Sequence, residues 1–124
     1  MPWELKSDRP IYTQLIEQIE LRICSGIYPR GSKLPSVRDL AREASVNPNT
    51  MQRALAKLEE DGLLYTVRTS GRFVTEDIER IKEARSKLAR EQVREFLKKM
   101  DELGFEKEEI LSIIRKMSEE MKNE

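Results

Sequence analysis

Between residues 45 and 64 the chain reads SVNPNTMQRALAKLEEDGLL, and its front gathers side chains with hydrogen-bonding ends. Asn49 and Thr50 can bond phosphate oxygens or base edges. Gln52 carries a donor and an acceptor on one amide and can pair with both N6 and N7 of adenine. The Arg53 guanidinium can reach guanine or a phosphate. This is the chemistry of recognition through hydrogen bonds to a polyanion and its bases. No bond-making step is implied.

Catalysis lacks its usual parts. The chain has no histidine, which removes His-based acid–base steps, His-assisted nucleophiles and most zinc sites. Ser36, Ser45, Cys24 and many carboxylates are present, with no Gly-rich phosphate loop and no metal-ligand spacing beside them. Glu59-Glu60-Asp61 reads as a solvated run at a helix end. No enzyme activity, catalytic residue, metal site or cofactor is expected. The single cysteine, Cys24, lies in an apolar run and reads as a buried structural thiol of a reducing compartment. No apolar run approaches membrane-spanning length, so a cytoplasmic protein without membrane contact is expected.

The 124 residues suffice for one small domain with an appendage. Formal net charge is zero, so bulk electrostatics do not select nucleic acid. Residues 26–75 hold eight Lys/Arg against five Asp/Glu, and residues 76–124 hold twelve against fourteen. That asymmetry permits a DNA-facing first part without requiring one.

The elements that must position these side chains follow from periodicity and caps. Pro10 opens a helix, with Asp8 as a candidate cap, and Ile11, Leu15, Ile19, Leu21 and Ile23 form its apolar face while Arg22 stays polar. Ser25-Gly26 ends it, and a Pro/Gly-rich loop leaves room for a two- or three-residue strand near Lys33-Leu34. Ser36 caps a short helix with Val37, Leu40, Ala41 and Ala44 inward. Asn47 caps the next, Pro48 begins it, and Gly62 stops it, with Ala54, Leu55 and Leu58 inward. Residues 63–67 and 72–75 read as two strands with a turn around Thr69 to Gly71. From Thr75 a long charged helix runs to Gly104, and a second helix starts near Glu106, with Phe105 placed to staple against Ile110.

A helix pair joined by a tight turn and followed by a two-stranded wing is a winged helix-turn-helix. The fold class is mainly α with a small β-wing, divided as residues 1–75 and a two-helix segment, 76–124. In this motif the second helix enters the major groove by its N-terminus, with free backbone N–H groups and the positive dipole end facing the same way. Asn47-Pro48 as a mere helix start, with Gln52 and Arg53 merely solvated, is the plainer alternative. Arg38 in the first turn of the preceding helix, and Arg68 and Arg72 flanking the wing turn, weigh against it.

The stretch GSKLPSVRDLAREASVNPNTMQRALAKLEEDGLLYTVRTSGRFV, with PIYTQLIEQI ahead of it, resembles the DNA-binding domain of GntR-type bacterial transcription regulators. The short two-helix tail is similar to their YtrA-like branch. The resemblance implies a homodimeric regulator, usually a repressor, on an inverted-repeat operator in double-stranded DNA, often beside transporter genes. It implies DNA contacts from Arg38, from Asn47, Asn49 and Thr50, from Gln52 and Arg53 one turn later, and from the wing-tip Gly71; Ser36, Arg68, Ser70 and Arg72, beside these positions, complete the expected DNA-facing set. Many members carry an arginine where Pro48 stands, and which wing residue enters the minor groove stays open.

Two helices enclose too little interior to bury the apolar stripes of 76–124, so a partner must cover them. Phe96, Met100, Ile110, Ile114 and Met117 are expected at a dimer interface. An effector pocket through Phe96, Met100 and Phe105 is the lesser expectation, with no ligand named by the residues. A winged helix used as a protein-interaction adaptor is the alternative function, and the outward arginines argue against it.

Overall fold

The computed structural model describes residues 1–123 and builds five helices and one hairpin. In order they are α1 (Ile11–Cys24), α2 (Val37–Ala44), α3 (Pro48–Glu60), β1 (Leu64–Val67), β2 (Gly71–Val74), α4 (Ile78–Glu102) and α5 (Lys107–Lys122). The chain forms two compact units, Met1–Lys87 and Leu88–Glu124. The first unit extends past 75 because Ile81 and Ala84, early in α4, pack on its core.

Two of the three expected N-caps form, and a third, unforeseen one closes the start of α5. Ser36 Oγ accepts from the Asp39 N–H at 3.1 Å, and Asn47 Oδ1 accepts from the Asn49 N–H at 2.8 Å. At α5, Glu106 and Glu109 close a reciprocal capping box. Asp8 is not the cap of α1; Pro10 holds that place in extended conformation. Asp77 starts α4, its Oδ1 accepting from the Glu79 and Arg80 N–H groups at 3.1 and 3.2 Å.

The core of the first unit is Leu15, Ile19 and Ile23 of α1, Leu40, Ala41 and Ala44 of α2, Met51, Ala54, Leu55 and Leu58 of α3, with Leu34, Leu63, Leu64 and Val74. The apolar reading of α1 needs one correction. Leu21 is exposed and Arg22 is buried. The first ten residues lie along α1, and Arg22 turns under them, donating to the Gln18 and Met1 carbonyls at 3.1 and 3.0 Å. Gln14, also buried, donates to the Lys6 and Arg9 carbonyls and accepts from the Lys6 N–H. Gln18 holds Glu4 by a similar two-way pair.

The hairpin is antiparallel, pairing Leu64 with Val74, Tyr65 with Phe73, Thr66 with Arg72 and Val67 with Gly71. Tyr65 and Phe73 stack across it with ring centroids 5.7 Å apart. The strand expected near Lys33 is a single bridge from Lys33 to Phe73, which joins the α1–α2 loop to the wing.

The second unit contains most of α4 and all of α5. Here Val93, Phe96, Leu97, Leu111, Ile114, Met117 and Met121 are exposed. Ile110, expected on a partner-facing surface, is instead buried within the chain, 6% exposed against 42% for Ile114 one turn later. Phe105, just ahead of α5, is half-buried.

Candidate nucleic-acid interface

The turn between α2 and α3 is set by backbone geometry. Ser45 takes the left-handed conformation, φ 56°, and its N–H closes on the Arg42 carbonyl while Val46 N–H closes on Ala41. Two residues later Asn47 caps α3. The exposed face of α3 then carries Asn49, Gln52, Arg53 and Ala56, at the spacing of one helical side.

The first turn of α3 differs from the expectation of free donors. Pro48 has no N–H, Asn49 N–H is taken by the Asn47 cap, and the Thr50 and Met51 N–H groups bond the Asn47 carbonyl. Its backbone offers no donor to a phosphate, so side chains must supply them. Asn47 spends its side-chain oxygen on the cap and keeps its NH₂ group outward. Ser36 likewise accepts through Oγ in capping α2, which leaves its hydroxyl proton to give. Arg38 is exposed one residue inside α2.

In the wing, Arg68 and Ser70 are exposed on a turn closed by Ser70 N–H to the Val67 carbonyl at 3.0 Å. Gly71 has φ 120°, and a Cβ there would stand 3.1 Å from Lys33 Cε. The backbone angle favours glycine, while the exposed lysine stem laid over it could shift by the few tenths of an ångström a Cβ would need. Arg72 shares the hairpin face of Thr66 and Val74, by the two-residue alternation of a strand, and so turns toward α3. Its Nη1 donates to Gln52 Oε1 at 3.0 Å.

An open groove of about 660 Å³ runs between the wing, the start of α2 and α3. Ser36, Gln52, Ser70, Gly71 and Arg72 line it together, with Lys33 and Asp39. Asp39 is turned to Arg42 in an ion pair of 3.5 Å. Lys33 was not legible as a site residue, since the bridge to Phe73 and the Gly31 N–H bond to the Val74 carbonyl, which bring that loop to the wing, join distant parts of the chain. The groove does not gather every candidate. Arg53, about 100° round α3 from Gln52, lies with its guanidinium 4.7 Å from the centroid of the Tyr12 ring of α1. Arg38, Asn47, Asn49, Thr50 and Arg68 sit outside the groove lining.

Among the described residues no group of three His, Cys, Asp or Glu side chains could hold a metal ion, and no helix is long and apolar enough to cross a membrane. Cys24 is half-buried, and burial pushes its thiol above the ordinary value, with Glu20 adding and Arg85 opposing.

A family model described as "Bacterial regulatory proteins, gntR family" matches residues 11–74. The HTH-type transcriptional repressor YtrA of Bacillus subtilis (strain 168) is 33% identical over 118 residues, covering 94% of this chain and 91% of its own. A solved GntR family transcriptional regulator from Listeria monocytogenes superposes with TM-score 0.83 at 41% identity, over 90% of this chain and 98% of that one. The DNA-binding domain of AraR, solved in complex with operator ORX1, is similar over 60% of this chain and 99% of its own, with TM-score 0.55 and 28% identity.

Proposed function

Because this chain belongs to the GntR family of bacterial regulatory proteins, we propose that it is a homodimeric repressor whose winged helix reads an inverted-repeat operator. Its fold, a winged helix-turn-helix with two further helices, is that of the HTH-type regulators it resembles. The observation that carries the reading is the common groove, where α3, the α2 cap and the wing present Gln52, Ser36, Ser70 and Arg72 side by side; Arg38, Asn47, Asn49, Thr50 and Arg68, outside that lining, take their roles from their places on α2, α3 and the wing turn. In this reading Asn49 and Gln52 face base edges, Arg38, Asn47, Thr50 and Ser36 hold phosphates, and Arg68, Ser70 and Gly71 follow the backbone beside the wing.

The dimer is assigned to the second unit. Phe96 and Met100 on α4, with Ile114 and Met117 on α5, belong to apolar stripes at helical spacing. Phe96, Ile114 and Met117 are exposed in the single chain, and water is a poor neighbour for such a stripe. Ile110 supports the helix pair from inside rather than meeting a second copy. A C2 dimer makes the second half-site contact intramolecular, at an effective concentration around millimolar, and calls for a palindromic site.

The test compares the full chain with Ile114→Asp by sedimentation and by binding to duplexes selected from a random library. The wild type should be dimeric and should protect an inverted repeat. Ile114→Asp should be monomeric, with binding near the non-specific range of ~10⁻⁴–10⁻⁶ M. A monomeric wild type that still protects a palindrome at nanomolar concentration would refute the dimer assignment. A wild type that selects no sequence would refute DNA reading itself.

A further inference from the structure

We propose that Arg72 decides which base Gln52 reads, making guanine rather than adenine its partner; this rests on the DNA-reading role given to α3 above. Arg72 Nη1 donates to Gln52 Oε1 at 3.0 Å. A guanidinium carries only donors, so the oxygen end of the amide must be the end that faces it. The free end of Gln52 is then Nε2, with N–H groups alone to offer. Beside it the outer N–H groups of the Arg72 guanidinium are donors as well. The joint edge of the two side chains therefore donates and does not accept.

Base edges in the major groove answer such an edge unequally. Guanine presents two acceptors, O6 and N7. Adenine presents N7 beside an N6 donor, cytosine presents a donor, and thymine a single O4 beside its methyl. A glutamine that takes adenine must accept from N6 through Oε1, and here Oε1 is already engaged. The hairpin fixes the arrangement. Arg72 lies opposite Thr66 on the strand face turned to α3, two residues from the buried Val74, so the wing delivers the guanidinium to the helix. Arg72 acts here as a positioning residue, through Gln52.

The experiment is selection from a random duplex DNA library by the full chain, run for wild type, Gln52→Ala, Arg72→Met and Arg72→Lys. Gln52→Ala identifies the position read by Gln52 as the column whose preference collapses. Wild type should place guanine there. Arg72→Met keeps an unbranched stem without donors, releases Oε1, and should move that column to adenine by roughly tenfold or more. Arg72→Lys, still a donor to the same oxygen, should keep guanine. Adenine in the wild-type column, no column lost in Gln52→Ala, or an Arg72→Met that keeps guanine with only lower affinity each overturns the proposal and leaves operator binding intact. Should Arg72→Met fail to fold, the wild-type column decides alone, guanine in favour and any other base against. No enrichment by the wild type overturns the proposal together with the DNA reading beneath it.

Discussion

The Arg22 guanidinium lies 3.7 Å from the centroid of the Trp3 ring, inside the first unit and out of water. A charge so placed is tolerated because the ring face and two carbonyls receive it. The pair ties the first residues of the chain to α1. A double-mutant cycle over Trp3→Ala and Arg22→Met, read by urea denaturation, should give a coupling of about 1–2 kcal/mol. A coupling near zero would mean that Trp3 merely covers the helix.

Arg38 and Arg53 should behave differently from Gln52 on DNA. Arg38 points outward from a helix whose inner side is Leu40, Ala41 and Ala44, so Arg38→Ala should leave melting unchanged and weaken binding by about 1–3 kcal/mol. Arg53 leans on Tyr12, away from the wing groove, which makes a phosphate its natural partner. Arg53→Ala should lower affinity evenly over all sequences and reduce the salt slope by about one. A changed base preference in Arg53→Ala would restore it to the base-reading set.

The boundary of the first unit is measurable in fragments. Residues 1–87 retain Ile81 and Ala84 on the core, and residues 1–75 lose them. The longer fragment should be the more stable by about 1–3 kcal/mol, from the apolar area those side chains cover. Equal unfolding midpoints would show that the start of α4 adds nothing.

Alkaline solutions should weaken the first unit. Burial holds the Cys24 thiol, and separately the Tyr28 phenol, above their ordinary values. The unfolded chain therefore loses these protons first as pH rises, beginning for the thiol near about pH 8.5, and stability falls from there upward. Urea midpoints at successive pH values should decline, and Cys24→Ala should delay the onset. Midpoints flat up to the phenol range would contradict this.

Local signals in the sequence were enough for the helices and for the ends at Ser36, Asn47 and Gly62, which act on neighbours within a few residues, but not for Asp8, Asp77 or Glu106. The wing was legible for the same reason, as two short β runs around a turn. What escaped depends on distant chain. Arg22 reads as a solvated position until the first residues fold over it. The Gln52–Arg72 bond spans a helix end and a hairpin, and depends on which strand face Arg72 occupies. Arg53 was legible as exposed, but its lean toward Tyr12 comes from the α1–α3 packing. Ile110 and Ile114 lie one turn apart in one apolar stripe, and periodicity cannot separate a residue that packs inside its own chain from one left outside.

The amides of Gln14 and Gln18 serve the backbone at Lys6 and Glu4 as a neighbouring strand would, taking the N–H and C=O on one edge of that segment. Proteases grip their substrates as extended strands and need such an edge free. Cleavage within the first ten residues must therefore wait until the segment leaves α1, so its digestion rate becomes a clock for local opening of that helix face.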